Sequence, residues 1–143
     1  VIVKLAPDVT DIAAMGKAAV ESGADALTVG NTYRAMAVDL RTRRPVFANV
    51  VAGYSGPAIK PLTLRAVYET VRAVDVPVIA SGGVMTAEDA LEYLLVGAKA
   101  VQVGTANFVD PRAMLEVVRG IEKFLEENGI DDVNKFINSL VTE

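Results

Sequence analysis

The sequence predicts an α/β protein: about half of a parallel (β/α) barrel of TIM type, with four βα units and a C-terminal helix in one domain, residues 1–143. Three observations carry this. Short apolar runs start near Val1, Ala26, Pro77 and Lys99, and helix-period segments separate or follow them. The runs are rich in Val, Ile and Ala, as expected of parallel strands buried on both faces. Small-residue turns follow three of them: Gly30-Asn31-Thr32, Ser81-Gly82-Gly83 and Gly104-Thr105. An eight-stranded barrel usually needs about 250 residues, so this chain supplies half of one.

Val1 to Leu5 reads as the first strand. Asp8 or Thr10 can cap the following helix, where Ile12, Met15, Ala19 and Val20 recur at helical spacing and Gly23 ends the run. Ala26 to Val29 is the second strand. Residues 33–59 interrupt the pattern as an insertion on the ligand-bearing face, with a further short strand expected at Val46 to Val51. Its arginines, Arg41, Arg43 and Arg44, read as a solvated loop. Gly53 and Gly56 are read as admitting a ligand. Leu62 to Val74 is an amphipathic helix with Pro61 in its first turn. Pro77 to Ala80 is the third strand. Thr86 caps the next helix, Asp89 completes a capping box, and Gly97 suits a left-handed end. Ala100 to Val103 is the fourth strand. Asp110-Pro111 opens a helix running to Gly129, and Ile130 to Val141 reads as a last short helix.

Composition narrows the chemistry. The chain has no Cys and no His, which removes zinc and iron-sulfur ligation and Ser-His-Asp or Cys-His catalysis. A net charge of −4 argues against a nucleic-acid partner. No apolar run is long enough to cross a membrane as a helix, so no membrane partner is expected. The lack of Cys fits a cytoplasmic protein.

Two glycine turns stand one βα unit apart, at Gly82-Gly83 and Gly104-Thr105. Glycine lets a ligand approach backbone amides without meeting a Cβ, and amides at the start of a helix suit a phosphate. In eight-stranded α/β barrels the phosphate site commonly follows the last two strands. Tight βα turns alone are the plainer reading; the pairing favours a phosphate or nucleotide cradle. Valine at Gly83 or Gly104 is therefore expected to weaken binding far more than folding.

VKLAPDVTDI, the Asn31-Thr32 pair, ANVVAGYSGPAIKP, IASGGVMTAEDAL and VQVGTANF together resemble the C-terminal half of the dihydroorotate dehydrogenase family, nearest its class 1B bacterial members. The resemblance spans nearly the whole chain in order. It implies an FMN-binding barrel that oxidises dihydroorotate to orotate: a base takes a proton from one ring carbon and hydride leaves its neighbour for the flavin. In class 1B the electrons pass to a partner subunit with FAD and an iron-sulfur centre, then to NAD. By matched position, Lys4 approaches the flavin ring, Gly30 and Gly56 contact FMN, and Gly82, Gly83, Gly104 and Thr105 cradle its phosphate. Asn31 and Thr32 match residues that hydrogen-bond the substrate ring.

Two departures shape the expectations. The family usually carries a branched apolar residue where Gly30 stands, so that strand end is expected to be looser. The family's base, a Cys in class 1B, belongs to the N-terminal half. No catalytic residue and no metal ligand is therefore assigned here. Lys60 and Asp110 have suitable chemistry but no matched role, and the isolated chain is expected to be inactive. The sequence begins inside a strand without an initiator Met, which reads as a chain cut at a strand boundary or as half of a larger design. Four strands alone leave two open edges, to be covered by a second copy or a complementary half-barrel. The alternative reading follows: an FMN- or phosphate-binding half-barrel scaffold that dimerises through those edges. Pyrimidine-reducing FMN barrels are a nearer rival.

Overall fold

A computed structural model describes residues 1–142. β1 (Ile2–Leu5) leads through α1 (Ile12–Glu21) to β2 (Ala26–Val29). The insertion holds β3 (Tyr33–Ala35), β4 (Val38–Asp39), β5 (Arg44–Pro45) and β6 (Ala52–Tyr54), and a 3-10 turn at Pro57–Ile59 runs into α2 (Lys60–Val71). Then come β7 (Val78–Ser81), α3 (Ala87–Leu95), β8 (Ala100–Gln102), α4 (Ala106–Val109), α5 (Ala113–Glu127) and α6 (Val133–Phe136).

The four core strands form one parallel sheet in the order β1-β2-β7-β8. Residues paired across parallel strands share a face. Val3, Leu27 and Val78 make one row, and Leu5, Val29 and Ala80 the next. This face packs into the core with Ile12, Val67, Tyr93 and Val117 from the helices. The other face carries Ile2, Lys4, Thr28, Ile79, Ser81 and Gln102. Burial on both faces, expected from the apolar runs, is found only in β2, where Leu27, Thr28 and Val29 are all buried. In β7 only Val78 and Ala80 are buried, and Lys4 and Gln102 are exposed. Helices cover one side of this sheet, so outside β2 the more buried residues alternate along the strands.

Local chemistry moves several boundaries. The cap of α1 is Asp11, not Asp8 or Thr10: it stands directly before Ile12 with extended backbone, and its carboxylate accepts from Ala14 N at 2.9 Å. Thr86 and Asp89 form the expected capping box of α3, and Gly97 has φ +110°. No strand forms at Val46 to Val51. Its amides turn back locally, Val50 N to Phe47 O and Val51 N to Asn49 O, and Val50 has φ +65°. The insertion instead pairs β3 with β6 and β4 with β5, both antiparallel.

α2 starts at Lys60 and buries Thr63, Ala66, Val67 and Thr70. Thr70 can be buried because its hydroxyl donates to Ala66 O at 2.8 Å. α4 has no counterpart in the sequence reading, and α5 begins at Ala113, three residues beyond Asp110. The last expected helix is a single turn. Asp132 caps it, Ile137 is extended, and Asn138 leaves at φ +63° to donate its amide to Leu94 O. Among the described residues no helix is long and apolar enough to cross a membrane.

Candidate functional site

Parallel strands bring their carboxyl ends to one side of the sheet, and a pocket lies there, a cavity of about 200 Å³. Lys4 reaches it from β1, Asn31 and Thr32 from the turn after β2, Gly82 and Gly83 from beyond β7, and Gly104 and Thr105 from beyond β8. Seven of the nine sequence-selected residues thus share one wall. Gly30 and Gly56 do not line it. Nor do Lys60, Asp110 or the insertion arginines.

The glycines differ in what surrounds them. Gly30 has φ +106°, and an added Cβ would overlap the Ser81 carbonyl and approach Thr63 Cγ2 at 2.7 Å. That strand end is tight, not loose. At Gly82 the same space is filled by Thr63, with its Oγ1 2.7 Å away. Gly83 has φ +71°, and a Cβ there would lie 2.8 Å from the Lys60 backbone. The expectation that valine at Gly83 would spare the fold therefore fails, because the backbone of α2 fills the required space. Gly104 has nothing within 4 Å. Gly56, at φ +98°, sits beside the Thr105 methyl at 3.7 Å. Gly53 does not offer ligand approach: its Cβ position falls on Thr32, which packs against β6.

Two features give the pocket a sign. Lys4 is the sole charged residue on its wall, and Lys4 Nζ meets only Ser81 Oγ, at a long 3.4 Å. Among the described residues, the backbone amides of Gly83, Val84, Gly104 and Thr105 have no paired acceptor. Unsatisfied donors beside a cation suit an anion. The start of α3 itself does not. Asp89 already accepts from Met85 N at 2.9 Å and Thr86 N at 3.0 Å, so a carboxylate occupies the anion position there. The free donors are loop amides.

Behind the β7 turn lies a polar brace. Lys60 Nζ donates to Asp89 at 2.7 Å and to Glu92 at 2.9 Å. Tyr93, fully buried, donates its hydroxyl to Gly82 O at 2.6 Å. Burial pushes the phenol above its ordinary range, so it remains a donor. Burial also pushes the Asp89 carboxyl up, but the Lys60 hydrogen bond and the two amides outweigh it and hold the group below its ordinary value. The bonds to Asp89 and Glu92 raise the Lys60 ammonium.

The sequence reading missed Ser55, Ser81, Gln102, Ile59 and Val84 on the wall. Gln102 had a signal, a polar residue inside the apolar run Ala100 to Val103. Ser55 had none. It comes from the insertion and accepts from Thr105 Oγ1 at 2.8 Å, tying that loop to the β8 tip. Asn31 Oδ1 accepts from Thr32 N at 2.9 Å, which leaves the Asn31 NH2 as the free donor. Among the described residues no three His, Cys, Asp or Glu side chains gather as a metal site.

A family model described as dihydroorotate dehydrogenase matches residues 1–125. The chain is 57% identical over 141 residues to the "Dihydroorotate dehydrogenase B (NAD(+)), catalytic subunit" of Geotalea uraniireducens, covering 99% of this chain and 46% of that protein. It is 58% identical over 139 residues to the protein of the same description from Trichlorobacter lovleyi, covering 97% and 46%. The chain thus spans about half the length of the curated relatives it matches. A solved structure, DHODH in complex with ferulenol from Eimeria tenella, superposes with a TM-score of 0.79 at 30% identity, over 96% of this chain and 37% of that one. A family model over residues 1–125 and relatives of one description across nearly all of its length place this chain in the dihydroorotate dehydrogenase family.

Proposed function

We propose that this chain is the C-terminal, FMN-holding half of a class B dihydroorotate dehydrogenase catalytic subunit, which oxidises dihydroorotate to orotate in pyrimidine synthesis. The observation that carries the reading is the pocket wall: a lone cation, an amide side chain, and four unpaired backbone amides on two adjacent strand tips. These residues fit FMN. The loop amides of Gly83, Val84, Gly104 and Thr105 would hold its phosphate, and the open space at Gly104 lets an anion close in. Lys4 would lie by the flavin ring, where a cation favours the anionic reduced form. Gly30 supports from behind and Gly56 from the rim. Asn31 and Thr32 would orient the substrate ring, the free Asn31 NH2 donating to a carbonyl. When bound, FMN supplies the hydride acceptor.

Proton abstraction needs a base within hydrogen-bond reach of the substrate. Lys60 is held by Asp89 and Glu92, and Asp110 turns toward Arg112. We assign neither, and the base lies outside this chain. The relatives are named as catalytic subunits of an NAD(+) enzyme, which supports a separate partner subunit; by the family resemblance that subunit would carry FAD and an iron-sulfur centre and take up the electrons. A cytoplasmic location fits the cysteine-free composition. The test is a flavin titration and a dihydroorotate assay on the purified chain. FMN binding without turnover supports the reading; turnover comparable to a complete enzyme contradicts the assignment of the base elsewhere.

One observation supports a second reading, a half-barrel scaffold that pairs through its edges. β1 and β8 end the sheet on either side, and the face bearing Lys4 and Gln102 is largely uncovered. A monomer in light scattering at high concentration would remove edge-to-edge self-pairing and leave a complementary half-barrel as the partner.

A further inference from the structure

We infer that Tyr93 is a positioning residue for the anion site, its hydroxyl holding the Gly82–Gly83 peptide so that the Gly83 N–H faces the pocket. The inference rests on the proposed reading of the strand tips as a phosphate site.

The geometry begins with one peptide plane. A trans peptide is flat, and its C=O and N–H point in opposite directions. No cis peptide occurs among the described residues. The Gly82 carbonyl accepts from Tyr93 Oη at 2.6 Å, and Tyr93 is fully buried within the core behind the turn. The Gly83 N–H, on the opposite edge of that plane, is directed away from Tyr93, and both glycines line the pocket.

This plane is also the one most free to rotate. It lies between two glycines, which resist a change of φ and ψ least. A rotation would put the Gly82 carbonyl where the Gly83 amide stands, presenting a partial negative charge to the anion. The stretch that follows cannot make that turn, because Asp89 holds the amides of Met85 and Thr86. One hydroxyl therefore governs the remaining freedom, and it touches neither substrate nor cofactor.

The experiment titrates the 143-residue chain with FMN and with riboflavin, which lacks the phosphate, following flavin fluorescence. Tyr93→Phe keeps the ring and removes the hydroxyl. Its FMN affinity should fall about tenfold, the scale of one lost hydrogen bond, while its riboflavin affinity stays unchanged. Val78→Ala, a buried substitution at the opposite end of β7 from the turn, controls for lost stability and should leave the FMN-to-riboflavin ratio intact. A Tyr93→Phe variant that keeps the wild-type ratio, or loses both ligands equally, overturns the positioning role while the phosphate site stands. A wild-type chain with no preference for FMN, or no affinity for either flavin, removes the phosphate site and the inference together.

Discussion

The tips of β7 and β8 carry the same sequence signal and owe it to different physics. At the β7 tip the glycines are demanded by the protein itself: Thr63 fills the space at Gly82, and the Lys60 backbone fills it at Gly83, which also has positive φ. At the β8 tip nothing lies within 4 Å of a Cβ on Gly104, so the fold does not require glycine there. A glycine the chain needs says little about a ligand. One it does not need, beside unpaired amides, is the stronger indication. The β7 tip is the crowded wall of the pocket and the β8 tip the open one.

This contrast breaks most sharply under substitution. Gly83→Val should destabilise the fold by about 3 kcal/mol or more, since it combines a positive φ with a clash against backbone. Urea unfolding measures it, and a near-neutral result would show that the β7 tip is not closed. Lys60→Met should cost about 2 kcal/mol by leaving the carboxylates of Asp89 and Glu92 without their cation. Adding Asp89→Asn should recover part of that loss, whereas strict additivity in the double-mutant cycle would deny the brace.

Acid sharpens the comparison further. The folded Asp89 carboxyl lies below its ordinary value of 3.8. A depressed acid stabilises above its unfolded pKa and loses that contribution as pH falls through the folded pKa. The stability gap between wild type and Asp89→Asn should therefore be constant near neutral pH and close as the pH drops below 3.8. The raised Lys60 works in the opposite direction, contributing fully below 10.5 and losing its part as pH rises beyond that. A gap that widens in acid would contradict the sign. The smallest stability effect belongs to Gly104→Ala, within about 0.5 kcal/mol, together with a clear drop in FMN affinity. Equal losses in melting temperature and affinity would make Gly104 merely structural.

The helical parts of the fold were legible because their signals are local. Thr86, Asp89 and Gly97 write the two ends of α3 within a dozen residues. α1 was read with Ile12, Ala19 and Val20 inward as found, but Met15 is exposed and Gly16 is buried in its stead; at its start, with three oxygen-bearing residues in a row of four, only the position next to Ile12 selects Asp11. Val46 to Val51 was misread because its valines suggest a strand, while the amides of Val50 and Val51 bond carbonyls only three and two residues back. Thr70 escaped the core reading because a threonine counts as polar until its hydroxyl finds an acceptor, here Ala66 O; Thr63 escaped it because its Oγ1 is buried with no partner among the described residues, which no sequence pattern announces. At the site, Lys4, Asn31 and the paired turns were legible because parallel strands must deliver their ends to one side. Ser55 was not, since it reaches the pocket by tertiary folding of the insertion. Tyr93 stands among the apolar residues of α3, and nothing local announces that its hydroxyl reaches a carbonyl eleven residues back.

Amide chemical shifts, followed by NMR as FMN is added to the isotopically labelled chain, put the anion cradle to the most direct test. The amides of Gly83, Val84, Gly104 and Thr105 should move together with one dissociation constant, while those of Met85 and Thr86, already held by Asp89, stay nearly still. Shifts confined to other surfaces, or movement at one tip without the other, would contradict a phosphate held between the two strands.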